Sequence, residues 1–445
     1  MNMKQALIIL LAIGAQQTAA QTSWTMQQCM QYAVEHNHQV KRAELELDNY
    51  KTIQRGAVGN FMPSVNASTS IQYNFGRAID PETNGYTDVS TFYNGYSISA
   101  SLPLFDGFNR MHALKAAKAS VLMGRESLRQ RQDQTALNVL QAFVNVAYYE
   151  GLVKMASEKV EETTILLKQT RIMEEVGRKS ATDVAQVESQ KTEADYELTR
   201  QQNLFVSALL ELKKEMGYPL ADSIRCETTT LHTANSHVGN EVFPRREQTI
   251  PTLGTNPELL ALRYQIQVSK HEWHQARASL FPSLSFSAGL NTSYYKTLHS
   301  QTAESFNRQF NHNMGEYVGA TLSIPLFNRL QTISNIRRAK NNYQIARENY
   351  EQKQMELEKL NREAWQDWQG YLKQTEQMEK KVEADSLAYQ LTRHQFEEGL
   401  STAIDLHTMS AQLLNSKATL LQCQLMAMVK EQLVRYYNGE TIWTE

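Results

Sequence analysis

The feature that most constrains how this chain can fold is an internal repeat with a period of roughly 220 residues. Three segments of the first half return in the same order in the second half: residues 59–65 as 278–284, residues 101–105 as 323–327, and residues 175–184 as 397–406. The last two pairs share one offset. The sequence therefore predicts two structural repeats of the same order, residues 21–216 and 257–445, joined by a linker at 217–256.

Long tracts without proline occupy the second part of each repeat, at residues 109–176 and 328–398. A helix of that length spans on the order of 100 Å, which favours coiled-coil packing. A glycine break follows each tract, and the next periodic segment begins at Ser180 or Thr402, two residue types that cap helix starts. Each repeat is thus predicted to contain a short helix, two strands, and a long helical hairpin closed by a tight turn.

Four stretches alternate between apolar and small polar residues, namely 64–75, 96–104, 283–294 and 317–324. Strands of about ten residues with one apolar face and one small polar face are typical of a transmembrane β-barrel with an aqueous lumen. The alternative is a four-stranded sheet against a soluble core. That alternative is disfavoured because the polar rows carry hardly a charge, as a channel lining would. Four strands alone also leave open edges, which a membrane does not tolerate.

The first twenty residues predict a secretory signal. Lys4 is followed by an apolar stretch at 6–15 and by small residues at 18–20, so the mature chain is expected to begin at Gln21. The stretch is too short to span a bilayer. Small residues of a lipid-attachment site do not precede Cys29, so no lipid anchor is expected.

Charge and cysteine usage exclude several classes of protein. With 45 basic and 47 acidic residues, the chain has no basic field for nucleic acid. The three cysteines, Cys29, Cys226 and Cys423, lack metal-ligand spacing, and an odd number cannot form a complete disulfide framework. No later stretch of about eighteen apolar residues predicts a transmembrane helix, so any membrane contact must use strands or a surface helix.

Four strands cannot close a barrel alone, because the smallest bacterial barrels have about eight. Two copies of the chain would supply eight strands, whose side chains fill the interior. Three copies would supply twelve strands around a pore, and twelve helices for a hollow cylinder. Composition and periodicity do not choose between two and three copies.

Specific motifs bracket the predicted strands and the hairpin turns. They are Phe-Met-Pro-Ser at 61–64, Phe-Pro-Ser at 281–283, Leu-Pro-Leu-Phe-Asp-Gly at 102–107, Ile-Pro-Leu-Phe-Asn at 324–328, and a glycine six residues before an aspartate in each turn. Each motif is weak by itself, but the ordered set repeated twice resembles the TolC family of outer-membrane efflux proteins. The resemblance covers essentially the whole mature chain.

The resemblance implies a mainly α fold with a small transmembrane β part. It implies a homotrimer whose twelve-stranded barrel in outer-membrane lipid continues as an α-helical tunnel through the periplasm. The expected partners are a periplasmic membrane-fusion adaptor and an inner-membrane pump or ABC transporter, with no nucleic acid. The implied function is a passive conduit for efflux or type I secretion, not an enzyme, with no cofactor and no metal.

The resemblance also implies a periplasmic gate at the hairpin turns, which family members ring with acidic residues. Asp405 matches an acidic position of the second turn, and Asp183 occupies the same place in the first. Three copies of Asp405 would form a ring that attracts cations. The alternative is that both aspartates only stabilise the positive ends of their helices.

This sequence departs from the family pattern at the gate. Phe396 and Ser401 stand where other members have a tyrosine and an arginine that latch the closed end, and Thr408 replaces a second acidic residue. Arg178 and Lys179 in the first turn are hypothetical substitutes for the latch. The resemblance places adaptor docking at the turn residues, whose alternative role is turn geometry alone: Val176, Gly177, Gly399, Leu400 and Thr402.

Two other functions fit parts of the sequence. A periplasmic coiled-coil scaffold or adaptor without a pore explains the long helices but not the duplicated alternating strands. An envelope hydrolase is disfavoured because no nucleophile–base set is recognisable. The segment 271–274 carries two histidines one turn apart but lacks the spacing of a zinc protease motif, and the exported cargo is not encoded in any motif.

Overall fold

A computed structural model describes residues 23–79, 84–88, 90–228, 255–298 and 304–443 of the chain. The helices among them are α1 (Met26–His36), α2 (His38–Gly59), α3 (Asn109–Glu175), α4 (Ala181–Met216), α5 (Pro257–Ala278), α6 (Phe306–His312), α7 (Gln331–Glu397) and α8 (Ala403–Tyr437). The strands are β1 (Ser64–Asn74), β2 (Arg77–Ile79), β3 (Tyr86–Asp88), β4 (Thr91–Phe105), β5 (Ser283–Thr297) and β6 (Gly315–Ser323). The predicted signal, residues 1–20, and most of the linker at 217–256 lie outside the described residues.

The long helices and their return helices are confirmed. Helices α3 and α7 each contain 67 residues, and α4 and α8 follow them after a short break. The prediction of one continuous helix at the start of the first repeat is wrong, because Asn37 separates α1 from α2 in an extended conformation. Its side-chain amide donates to the Glu215 carbonyl at 2.7 Å and its Oδ1 accepts from Gln39 N–H. A contact with a distant helix end therefore holds this break.

The four alternating stretches form one antiparallel sheet in the order β1-β4-β5-β6. Its register pairs Val65 with Ala100, Ala100 with Ala288, and Ala288 with Val318. The apolar rows of all four strands therefore lie on one face, because alternate residues of a strand share a face. The opposite rows consist of Ser, Asn, Gln, Thr, Gly, Tyr and one Pro, without a charged residue.

The outer strands of this sheet are open. Within the described residues, β1 pairs only with β4 and β6 pairs only with β5. Each outer strand therefore keeps one row of backbone N–H and C=O groups that no strand of the described chain satisfies.

Helix α6 was not predicted from the sequence, and neither was the β2–β3 hairpin. Strand β6 covers only the first part of β5, and α6 covers the rest. The buried Gln309 amide both donates to and accepts from the backbone of Tyr295, at 2.9 Å in each case, as a neighbouring strand would. The rings of Phe306 and Phe310 both contact the Tyr96 ring edge-to-face on the apolar face. Aromatic residues four apart were the available signal for this turn of helix.

The chain divides into two compact units, each built from both repeats. The helical unit takes the described residues of Met1–Leu45, Glu126–Leu260 and Gln352–Glu445, and the sheet unit takes those of Glu46–Arg125 and Ala261–Glu351. The core of the helical unit is formed by buried apolar side chains of α1, α3, α4 and α8, including Cys29, Phe143, Leu212, Met216 and Leu425. None of the described helices combines the length and apolarity that crossing a bilayer requires.

The turn after β4 brings α3 close to the end of α5 in the sheet unit. Gly107 has φ of +66°, and a Cβ atom there would lie 2.5 Å from the Ala278 carbonyl oxygen. Asp106 accepts from the Arg110 side chain at 2.9 Å, and Asn109 exchanges hydrogen bonds with Gln275. The Leu-Pro-Leu-Phe-Asp-Gly motif therefore serves as a strand-to-helix turn with no room for a side chain at its glycine.

Three histidines pack together between α3 and α5 in the sheet unit. The His112 ring lies 5.7 Å from that of His271 and 5.1 Å from that of His274. Burial lowers the pKa of all three imidazoles, and nearby Lys115 and Arg277 add to the effect. Among the described residues, no group of three His, Cys, Asp or Glu side chains is placed to hold a metal ion.

We expect this histidine cluster to make stability fall in mild acid. The folded pKa values lie below the ordinary 6.5, so the unfolded chain binds more protons in that window. The contribution is present above pH 6.5 and is lost as the pH falls through the lowered folded pKa values. The midpoint of thermal unfolding should fall over this range, and less steeply in His112→Gln. The control is His394→Gln, which changes a histidine that is 83% exposed. If the unfolding midpoint of His112→Gln depends on pH as steeply as that of the wild type, the histidine cluster is not the cause.

Candidate functional site

The two helical hairpins end in the same backbone motif. Gly177 and Gly399 have φ of +75° and +77°, a conformation that glycine adopts freely. The next N–H groups, of Arg178 and Leu400, each donate to the carbonyl five residues earlier, at 2.8 and 2.7 Å. This is the Schellman helix end, which confirms the predicted glycine breaks. A Cβ atom at either glycine would meet nothing within 4 Å, so the left-handed backbone conformation, and not a lack of space, favours glycine there.

The two candidate gate aspartates are capping residues. Asp183 accepts from the Ser180 backbone and hydroxyl at 3.0 and 2.8 Å, and Asp405 accepts from those of Thr402 at 3.1 and 2.6 Å. The backbone and hydroxyl hydrogen bonds of Ser180 lower the pKa of Asp183, and those of Thr402, the hydroxyl first, lower the pKa of Asp405. Both carboxylates are therefore ionised at neutral pH, and both complete a capping box at a helix start.

A small buried core joins the two hairpins just behind their turns. We call it the tip cluster, and its buried members come from α3, α4, α7 and α8: Leu166, Val187, Phe396, Ala403 and Leu406. Phe396 is 1% exposed and is the largest of these side chains. Phe396 thus takes part in the apolar packing that holds the ends of both hairpins together.

One of the two basic residues of the first turn contacts this cluster. The Lys179 ammonium lies 3.7 Å from the centre of the Phe396 ring, which is cation–π geometry, whereas Arg178 is exposed. The structure therefore separates the two hypothetical latch residues: Lys179 bridges the hairpins and Arg178 is exposed at the turn. Ser401 lies 3.4 Å from Asp405 and supports the cap of its own hairpin.

Further polar contacts between the hairpins were not predicted from the sequence. The Gln190 amide donates to the Ala403 carbonyl at 3.0 Å, and Lys159 donates to the Ser410 hydroxyl and faces the Tyr389 ring. His407 lies 3.9 Å from Glu193. These partners are more than 200 residues apart in the chain, so no local pattern marks them.

The proposed docking positions differ in what they expose. Val176 and Leu400 are 67% and 80% exposed, and Ile404 beyond the second turn is exposed as well. Thr402 is engaged as a helix cap. Each turn therefore presents apolar side chains to solvent, and only the first turn adds basic residues.

Comparison with known proteins bears on both halves of the chain. The family described as "Outer membrane efflux protein" matches residues 29–218 and 251–435, one segment in each repeat. The alkaline protease secretion protein AprF of Pseudomonas aeruginosa is 25% identical over 279 residues, covering 60% of this chain and 54% of AprF. The probable efflux pump outer membrane protein TtgC of Pseudomonas putida is 23% identical over 290 residues, covering 62% of this chain and 57% of TtgC. This chain thus spans about half the length of these relatives.

Solved structures share the fold. CusC superimposes with a TM-score of 0.78 at 17% identity, covering 93% of this chain and 92% of that chain. VceC of Vibrio cholerae superimposes with a TM-score of 0.77 at 14% identity, covering 94% and 96%. With the duplicated helices, the paired strands and the two matched segments, these similarities show that the chain belongs to the outer membrane efflux protein family.

Proposed function

We propose that this protein is the outer-membrane channel of a tripartite efflux or type I secretion system. It acts as a passive conduit that makes and breaks no bonds, with its helices in the periplasm. The observation that carries the proposal is the sheet register, which collects four apolar rows on one face and uncharged polar rows on the other. Such a sheet suits lipid on one side and water on the other.

The proposed assembly is a homotrimer. The open edges of β1 and β6 can pair with neighbouring copies, which satisfies the backbone groups that hydrocarbon would leave unpaired. Eight strands from two copies would enclose a lumen that side chains fill, whereas twelve strands from three copies leave a pore. The apolar face would contact outer-membrane lipid.

The experiment combines fractionation, oligomer mass and electrical recording on the full chain. We expect the protein in the outer-membrane fraction, a trimer mass in detergent, and unitary conductance steps in planar bilayers. A soluble periplasmic protein without conductance would overturn the channel and favour the scaffold without a pore.

Two neighbouring strand residues on opposite faces give a sharper test. Ser99→Lys adds a charge to the polar face and should yield a folded trimer with lower cation selectivity. Ile98→Lys adds the same charge to the apolar face, where Ile98 is 50% exposed in the single chain. A lysine facing lipid costs about 2–4 kcal/mol at the bilayer midplane, so this variant should assemble poorly. Equal behaviour of the two variants would contradict the assignment of faces.

The gate is proposed at the hairpin turns. Three copies of Asp405, with those of Asp183, would focus a cation-attracting field at the mouth. Asp405→Asn keeps an acceptor for the Thr402 N–H and removes the charge, so the helix start should survive while the cation-to-anion permeability ratio falls. An unchanged ratio in Asp405→Asn and in Asp183→Asn would leave both residues as helix caps only.

The proposed partners are a periplasmic membrane-fusion adaptor and an inner-membrane pump or ABC transporter. The exposed apolar turns around Val176 and Leu400 support docking there. Replacing the exposed Leu400 with Ser removes an apolar contact without adding a charge at the turn, so adaptor cross-linking should weaken while conductance stays unchanged. Residues 1–20 are proposed to be removed on export without lipid attachment, so the intact mass of the purified protein should correspond to a chain beginning at Gln21.

A further inference from the structure

Two of the three cysteines pack in the same hydrophobic core, one near the start of the first repeat and the other in the segment that follows it. Trp24 and Cys226 form a parallel backbone bridge, in which Trp24 N–H donates to the Arg225 carbonyl at 2.8 Å and Glu227 N–H donates to the Trp24 carbonyl at 2.9 Å. The start of the mature chain is thus held beside the segment that follows α4.

Cys29 lies in the first turn of α1, directly after this bridge. Thr25 caps the turn, since its hydroxyl accepts from Gln28 N–H and its carbonyl accepts from Cys29 N–H. One helical turn advances about 5.4 Å, so the cap holds Cys29 within a turn of the bridge. Both cysteines pack in the same hydrophobic core, where Cys29 is fully buried. The proximity of Cys226 adds to the burial that raises the pKa of the Cys29 thiol.

A metal site does not account for the pair. Thiolate sites for zinc need four ligands, and no group of three potential ligands is placed to hold a metal among the residues that the structure describes. Glu150, the carboxylate whose charge acts on Cys226, accepts a hydrogen bond from Thr228 at 2.5 Å. Cys423 packs elsewhere, with its sulfur 3.9 Å from the Gln374 amide oxygen.

We propose that Cys29 and Cys226, free thiols in this structure, form a disulfide bond in the exported protein and close the first repeat covalently. The two thiols lose two protons and two electrons as the S–S bond forms. The acceptor is the disulfide of an envelope thiol–disulfide oxidoreductase, which becomes a dithiol. Because the thiolate is the reacting form and burial disfavours it, the bond forms during folding, before the core closes.

The proposed bond would stabilise only the first repeat. The family match to the first repeat covers residues 29–218, so the two cysteines stand at and just beyond its ends. The match to the second repeat, residues 251–435, contains a single cysteine, Cys423, and so has no pair to join. The bond would constrain the unfolded first repeat across a long loop, and the second repeat would rely on packing alone.

The test counts thiols on the full chain in its outer-membrane fraction. This proposal rests on the export that the proposed function includes, and fractionation reports a failure of export separately. The fraction is quenched in acid, denatured without reductant and labelled with a polyethylene glycol maleimide. We expect one reactive thiol in the wild type and three after reduction.

Single serine variants identify the pair. Cys423→Ser should show no reactive thiol before reduction and two after it, whereas Cys29→Ser and Cys226→Ser should each show two before reduction. Cys29→Ser, Cys226→Ser and the double variant should each lower the thermal midpoint. The loss in the double variant should be smaller than the sum of the two single losses, because both single variants remove the same bond, whereas Cys423→Ser leaves that bond in place. Three reactive thiols in the unreduced wild type, or a bond that includes Cys423, would overturn the proposal. If Cys29→Ser or Cys226→Ser fails to fold, the numbers of reactive thiols in the wild type and in Cys423→Ser still show whether the bond forms.

Discussion

Replacing Phe396 with alanine is expected to loosen the packing between the two hairpin ends and, with the gate proposed there, to raise the single-channel conductance several-fold. The ring is 1% exposed and packs with residues of all four helix ends. Truncating a buried phenylalanine costs about 3–5 kcal/mol, because apolar contacts are lost and a cavity remains. It also removes the partner of Lys179, so the apolar and cation–π contacts between the hairpins are lost together.

Variants of Lys179 and Arg178 distinguish the effect of the ring contact on conductance from the effect of positive charge. Lys179→Met removes a cation–π contact worth about 0.5–1 kcal/mol at an exposed site, so conductance should rise less than in Phe396→Ala. Arg178→Met removes the same charge without touching the ring and serves as the matched control. Planar-bilayer recording at fixed salt measures all three variants. Equal increases in Lys179→Met and Arg178→Met would show that charge alone acts. An unchanged conductance in Phe396→Ala would contradict a role of the tip cluster in the proposed gate.

Local signals explain why the helical part of the fold was predictable. The glycines at 177 and 399 and the capping residues Ser180 and Thr402 act within one turn of helix, so the sequence encodes the hairpin ends directly. The strand alternation was equally direct, because one residue of slippage would move every apolar side chain to the wrong face. The observed register pairs the apolar rows across all four strands.

Features that depend on distant partners were not predictable from local patterns. The break at Asn37 depends on the Glu215 carbonyl, and α6 depends on the uncovered edge of β5 that Gln309 satisfies. At the hairpin turns, the sequence indicated the candidate gate residues but not the residues that they contact. The Lys179–Phe396 contact joins positions that belong to different repeats, and nothing in either segment specifies the other.

The second repeat shows what the turn after β4 requires. Arg329 and Leu330 occupy the places of Gly107 and Phe108, and all four residues have positive φ, between +56° and +70°. The left-handed backbone is thus conserved between repeats although only one of the four is glycine. Arg329 and Leu330 are exposed, so their side chains have space. Conformation alone therefore does not explain the glycine at 107.

Replacing Gly107 with alanine is accordingly expected to cost far more than the same change at Gly177. A Cβ atom at Gly107 would lie 2.5 Å from the Ala278 carbonyl oxygen and 2.7 Å from Phe281 Cβ, and neither atom can move by rotating a side chain. Overpacking of this kind costs about 1–3 kcal/mol, in addition to about 1–2 kcal/mol for the left-handed residue. Gly177→Ala carries only the second cost, because nothing lies within 4 Å.

The measurement is the temperature at which the proposed trimer dissociates on a denaturing gel, together with the yield of folded protein. Gly107→Ala should lower both strongly, and Gly177→Ala slightly. Arg329→Gly relieves the left-handed strain at the matching place of the second repeat and should be neutral or stabilising. Equal losses in Gly107→Ala and Gly177→Ala would mean that α3 can move away from the end of α5. In that case the strand-to-helix turn would not fix where the long helix begins.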